Sequence, residues 1–158
     1  MNIKEIRDWT KKEFEEINEL IKDRPFLSHY DFLRIRNFKI NSFSIENEGH
    51  IKEITEKAFK FANEDKIKEA INELVKLHGI AIPIASAILA MKFPDKFAII
   101  DKRVLEQLGK EDWLKDYLKN PETYEKYILF MRETKPKEGS LRDYERSLFE
   151  KELKKGDI

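Results

Sequence analysis

The chain of 158 residues contains no cysteine. Disulfides, thiolate zinc sites and cysteine-ligated iron–sulfur clusters are therefore excluded from the outset. Only three histidines occur, His29, His50 and His78, and their spacing matches no metal-ligand pattern. No metal site and no cofactor are expected. Net charge is also missing, since 31 Lys+Arg balance 31 Asp+Glu. A global polyanion signal is thus absent, and any nucleic-acid footprint has to be local. No apolar run reaches the roughly 18 residues that span a membrane, so no membrane association is expected. The opening MNIKEIRDWTKKEFEE is charged and lacks the apolar core of a signal peptide. A cytoplasmic, monomeric protein forming a single domain over 1–158 is the expectation. High Lys, Glu and Ile with a single Gln suits a thermophile, although an AT-rich genome gives the same usage.

What is present is helical periodicity. Ile6, Trp9, Phe14, Ile17, Leu20 and Ile21 recur at helix spacing over Ile3 to Lys22, which Asp23-Arg24-Pro25 ends. The segment from Phe26 to Phe43 fits either a helix around Asp31 to Asn37 or a short strand. A helix is preferred because no partner strand is evident. It is locally basic through Arg34, Arg36 and Lys39, and its interleaved aromatics suit either a nucleic-acid face or a core helix with a solvated basic side. Asn47-Glu48-Gly49 reads as a turn, followed by helices over His50 to Asn63 and Lys66 to Leu77. Residues 42–73 carry eight acids against five bases, which argues against a nucleic-acid face there.

Leu74 to Leu108 is the longest nearly uncharged run in a chain that is 39% charged. Gly79 stops one helix and Pro83 starts the next. Ile84 to Met91 is apolar all round and should be a buried central helix. Ala98-Ile99-Ile100 is extended, and Asp101 opens Lys102 to Leu108, which Gly109 closes. Helices over Glu111 to Leu118 and Glu122 to Arg132, and one opened by Ser140, complete the chain. The fold class expected is all-α, with about eight short helices in two small lobes. The tight turn at Gly79, Ile80 and Ala81 would present amides without helical carbonyl partners at the positive end of a helix dipole, a phosphate site made of backbone. Lys76, Lys102 and Arg103 flank it as phosphate contacts or as solvated charges.

Leu77-His78-Gly79-Ile80-Ala81-x-x-x-Ala85, followed after a linker by Ile100-Asp101-x-x-Val104, resembles the helix-hairpin-helix DNA glycosylase superfamily. That family carries a hairpin of the form L-P-G-V-G-x-x-T-A, then a hydrophobic linker and an aspartate at the start of a helix. The resemblance covers about 35 residues within a hairpin spanning 66–91 and an aspartate-led helix at 101–109. It implies that Gly79 to Ala81 grips a phosphate of duplex DNA carrying a damaged or mismatched base. It also implies that Asp101 is the catalytic carboxylate, stabilising the positive charge that builds on the sugar as the N-glycosidic bond breaks, or orienting the attacking water. The lysine that makes some members strand-cleaving falls on Pro83, so the implied activity is monofunctional base removal by water. Ala81 stands where the second hairpin glycine belongs. A base pocket with aromatic walls is implied, for which Tyr30, Phe38, Trp113 and Tyr144 are candidates by residue type, with Lys39, which follows an aromatic, as a residue facing the cleft.

Blander readings stand beside these. Asp101 is also a good helix N-cap. His78 shapes the turn, Ser86 is small packing, and Arg142 with Asp143 either lines the cleft from the last helix or forms a surface ion pair. The alternatives to a glycosylase are a non-catalytic helix-hairpin-helix DNA-binding module and a helical protein-interaction scaffold.

Overall fold

The computed structural model describes residues 2–39 and 47–156, with side chains described as far as Lys151. Among these residues the architecture is all-helical: eight α-helices, one 3-10 turn and no strand. None of the helices is long and apolar enough to cross a membrane.

Helix α1 spans Ile3–Ile21 and opens with a capping box, in which the Asn2 side chain accepts from the Glu5 amide and the Glu5 carboxylate accepts from the Asn2 amide. Helix α2, His29–Lys39, settles the choice between helix and strand. Ser28 and Asp31 make a second reciprocal pair at its start, at 3.0 and 3.1 Å. Asp31 is buried there, and Arg24 donates to it at 2.6 Å. The Ile40 to Phe43 end of the predicted segment lies outside the described residues. Helix α3, Glu48–Asn63, begins earlier than expected. Asn47 is no turn residue but an N-cap, its side chain accepting from the Gly49 and His50 amides. Helix α4, Ile67–Leu74, is shorter than expected at its C-terminal end, where the Lys76 and Leu77 amides bond three residues back, to Glu73 and Leu74.

Helix α5, Ile82–Lys92, is the centre of the molecule. Every residue from Ile84 to Met91 is buried. Helices α1, α2 and α4 all pack on it. Its small residues, Ala85, Ser86, Ala87 and Ala90, let those backbones approach, while each fully buried Ile or Leu between them stabilises the fold by about 1.5–3 kcal/mol. The C-terminus of α1 is tied to it as well. Lys92 donates to the carbonyls of Ile21 and Lys22 at 3.0 and 2.6 Å. Burial pulls the Lys92 ammonium below its usual pKa while the Asp23 charge pushes back.

Residues 97–100 leave α5 as an extended, fully buried linker. A buried backbone needs partners for its polar groups, and four side chains supply them. Tyr124 donates to the Ala98 carbonyl at 2.9 Å and Tyr127 to the Ile99 carbonyl at 2.7 Å. Glu145 accepts from the Ile99 amide at 3.0 Å, and Ser86 from the Ile100 amide at 3.1 Å. Ser86 is thus more than a small packing residue. Burial pushes both phenols well above their ordinary pKa. Tyr127→Phe is expected to lower unfolding stability by about 1–3 kcal/mol, because it leaves the Ile99 carbonyl buried without its donor. Chemical denaturation reads this directly, and an unchanged midpoint would remove the phenol from the linker's support.

Helix α6, Lys102–Gln107, follows, with Gly109 at φ +71 closing it. Glu111–Lys115 is a 3-10 turn, where the sequence reading expects an α-helix to Leu118. Helix α7 is Pro121–Thr134, and α8 is Leu141–Gly156. Ser140 and Asp143 form a third reciprocal cap at the start of α8, both bonds at 3.0 Å. Helix α8 packs against α6, α1 and α7.

Candidate functional site

The linker and α6 bring Asp101 to the wall of a cleft of about 360 Å³. Phe38 and Lys39 from the end of α2, Thr10 from α1, and Arg142, Glu145 and Phe149 from α8 complete the wall, with Ile99, Lys102 and Arg103 beside the aspartate. That volume falls within the ~300–1,000 Å³ common for small-ligand sites.

Asp101 is an N-cap, as its residue type suggests. Oδ1 accepts from the Arg103 amide at 2.8 Å. Its other oxygen faces out of the helix, 3.8 Å from Lys39 Nζ. The aspartate side chain is 27% exposed and the lysine 17%, so the pair sits in a partly sheltered but wet setting. The Asp101 charge is also felt at Tyr117, outside the cleft wall. After burial, it is the largest influence raising the Tyr117 phenol above its ordinary pKa, and Glu106 adds to it. Lys102 reaches Glu106 at 3.8 Å, and the Arg103 guanidinium lies 5.6 Å from the Phe149 ring centre. Both cations therefore belong to the Asp101 cleft.

The base of the cleft is a buried ion pair. Arg142 Nη1 donates to both oxygens of Glu145 at 2.6 Å, and the two side chains are 8% and 3% exposed. The guanidinium also lies 4.3 Å over the Phe14 ring. This corrects the surface pairing of Arg142 with Asp143. Asp143 is occupied by the cap with Ser140, and the i,i+3 spacing gives Arg142 to Glu145 instead.

The hairpin at Leu77 to Ala81 has the geometry that a helix–turn–helix requires. Gly79 takes φ +70, Gly79 and Ala81 are exposed, and Ile80 points inward. Not all of its amides are available, however. The Ile80 amide bonds Leu77 O at 3.2 Å and the Ile82 amide bonds Leu118 O at 3.2 Å. No backbone partner is found for the Gly79 or Ala81 amide among the described residues. Lys76 is engaged with Glu73 at 2.8 Å. The residue that lies against the turn comes from a helix far away in sequence. The guanidinium of Arg36, from α2, is 3.5 Å from the His78 carbonyl and 3.4 Å from that of Gly79, and a Cβ on Gly79 would meet it at 3.2 Å. Gly79→Ala is expected to cost about 1–2 kcal/mol for left-handed backbone alone, and to displace the guanidinium in addition. A thermal midpoint matching the parent protein would argue that the turn relaxes freely.

Helix α2 therefore reaches both features with one face. Arg36 touches the hairpin, and Lys39, one turn on, touches Asp101. The basic side of α2 is accordingly not a solvated face, since Arg34 is also held by Glu13 and Glu16 at 2.8 and 2.9 Å. The Glu13 bond is the main influence raising its already high pKa.

Of the aromatic candidates, Phe38 lines the cleft. Tyr30 is 66% exposed and makes no part of the wall. Trp113 packs edge-on against Phe130 beneath Lys110. Tyr144 donates to the Thr134 hydroxyl at 3.1 Å, which itself donates to the Phe130 carbonyl, and it is not among the lining residues. The aromatic that residue type alone did not single out is Trp9, which stacks on Phe38 with centroids 6.1 Å apart and planes at 17°. Comparison of the chain with protein-family models, curated proteins and solved structures returned no match.

Proposed function

We propose that the protein is a DNA N-glycosylase-like base-removal protein, monofunctional, with water as the nucleophile and Asp101 as the carboxylate that answers the charge developing on the sugar. The observation that carries this reading is the shared face of α2, where Arg36 meets the hairpin and Lys39 meets Asp101. A phosphate held at Gly79 and Ala81 would lie beside Arg36, and the attached nucleotide would lie within reach of the cleft one helical turn away. The cleft is concave, partly aromatic and lined by more cations than carboxylates, which suits a nucleotide. Asp101 also faces a residue outside its own helix, which a purely structural cap would not need.

A non-catalytic DNA-binding module is the second reading. It is favoured by one fact: the free oxygen of Asp101 is already answered by Lys39. The two separate in a single assay. Duplexes carrying a panel of damaged or mismatched bases are incubated with the protein and with Asp101→Asn, and released base is measured alongside binding. Release that disappears in the variant supports the enzyme. Binding without release from any substrate leaves the module, and affinity that does not change with rising salt argues against phosphate gripping in either case.

A further inference from the structure

Resting on the reading of the cleft as a nucleotide site, we propose that Trp9 and Phe38 form a stacking platform for an unpaired base of a single-stranded or bulged nucleic acid. The backbone of that strand would cross Lys39, Lys102 and Arg103. Trp9 is 47% exposed, an unusual position for the largest apolar side chain. It does not project freely. One side lies nearly parallel to Phe38, and Phe38 is itself braced edge-on by Phe14 at 6.3 Å and 65°. A rigid, supported ring with exposed area is what a base requires, because every base offers a π face and no particular hydrogen-bond pattern is needed.

The charges place the strand. The cleft beneath Phe38 is lined by Lys39, Lys102, Arg103 and Arg142 against Asp101 and Glu145. Arg142 and Glu145 are paired to each other, while Lys39 lies 3.8 Å from Asp101 and Lys102 3.8 Å from Glu106, so Arg103 and these two loosely held lysines are the cations left to meet the phosphates of a strand. Further along α1, Glu13, one turn from Trp9, and Glu16 are both held by Arg34, which offsets their charge. Phe38 lines the cleft, and Trp9, stacked on it, is not among the lining residues, so the platform leads from the cleft wall outward. A base held in a duplex keeps its faces against its neighbours and cannot reach Trp9, whereas an unpaired one can without the cost of extrusion.

The protein has two tryptophans, Trp9 and Trp113. Trp113 packs against Phe130 and Lys110, outside the cleft wall. The Trp113→Phe protein therefore reports Trp9 alone. Its fluorescence is titrated with a short mixed-sequence single strand, with the matching duplex, and with that duplex carrying a one-base bulge. Saturable quenching by the single strand and the bulged duplex is expected, with at least tenfold tighter binding than to the intact duplex. In the otherwise native protein, Trp9→Ala is expected to weaken single-strand binding by about tenfold or more in fluorescence anisotropy, with Trp9→Phe retaining most of the affinity and both variants checked for an intact thermal transition. Binding without quenching, equal affinity for all three probes, unchanged affinity in Trp9→Ala, or no binding to any probe would each overturn the platform. Base release measured on the duplexes carrying damaged or mismatched bases separates the two ideas. Quenching without release leaves the platform standing while the enzyme reading fails, and release without quenching does the reverse.

Discussion

Asp101→Asn is expected to lower base release by about 10²–10³-fold, the scale seen when a preorganised electrostatic group is removed from a transition state, while leaving the protein as stable as before. The two halves of that result come from the two oxygens. Oδ1 caps α6 by accepting from the Arg103 amide at 2.8 Å. Asparagine keeps an oxygen at that position, and asparagine and aspartate are about equal as caps. The loss of the negative charge removes only the weak attraction to Lys39, which at 3.8 Å and partial exposure contributes little after solvent screening. Asp101→Ala, by contrast, removes the cap as well and is expected to cost about 1 kcal/mol. DNA affinity moves the other way from activity. Deleting a carboxylate from a polyanion site should leave binding unchanged or tighter, so a weaker complex cannot account for lost release. Full activity in Asp101→Asn would reduce the carboxylate to a cap. A melting temperature as low as that of Asp101→Ala would show that the charge, and not the hydrogen-bonding oxygen, holds α6.

What could be read from the sequence is what neighbours in sequence determine. The buried α5 follows from an apolar run with a proline at its start, and the turn at Gly79 from the one residue type that tolerates φ +70 without cost. Asp101 as a cap follows from its place before Lys102. The misjudged boundaries have local chemical causes: the Asn47 side chain starts α3 early, and i+3 bonds replace the last turn expected of α4. The site itself is a matter of distant residues. Lys39 and Asp101 lie far apart along the chain, as do Arg36 and Gly79, and nothing in either segment names the other. Tyr124 and Tyr127 recur at helix spacing within Glu122 to Arg132, but their hydroxyls had to find acceptors once buried, and the linker before Asp101 was the buried backbone on offer. Trp9 was legible as part of the α1 stripe. Its partial exposure depends on where α2 ends, which periodicity does not give. Glu145 was the clearest missed signal, a carboxylate three residues after an arginine on the face of α8 that also carries Leu141 and Leu148.

Glu145→Ala is expected to be the most damaging single substitution, lowering unfolding stability by about 3–5 kcal/mol. Glu145 is the acceptor for two buried donors. Arg142 gives both its short bonds to it, and the Ile99 amide bonds it at 3.0 Å. Truncation strands a guanidinium that is 8% exposed and packed 4.3 Å over the Phe14 ring. Arginine does not escape by losing its proton, so the cost of the unpaired charge falls on the fold. Against a typical total of ~5–15 kcal/mol, the loss would bring thermal unfolding down by about 10 °C or more for a domain of this size. The consequence at the cleft is as informative as the stability. Ile99 is two residues before Asp101, and the Glu145 bond is one of those that fix the linker's direction. Below its lowered midpoint the variant should therefore misplace Asp101 and lose base release out of proportion to its folded fraction. The control is the double variant Arg142→Leu, Glu145→Leu. Removing both charges leaves no stranded ion, and apolar replacements of a buried pair are often neutral or better, so most of the stability should return. The Ile99 amide would still lack its acceptor, so the linker, and with it the activity, should not return to the same extent. Equal recovery of both would show that the pair matters only as buried charge, and no loss in Glu145→Ala would show that Arg142 finds water or another carboxylate at little cost.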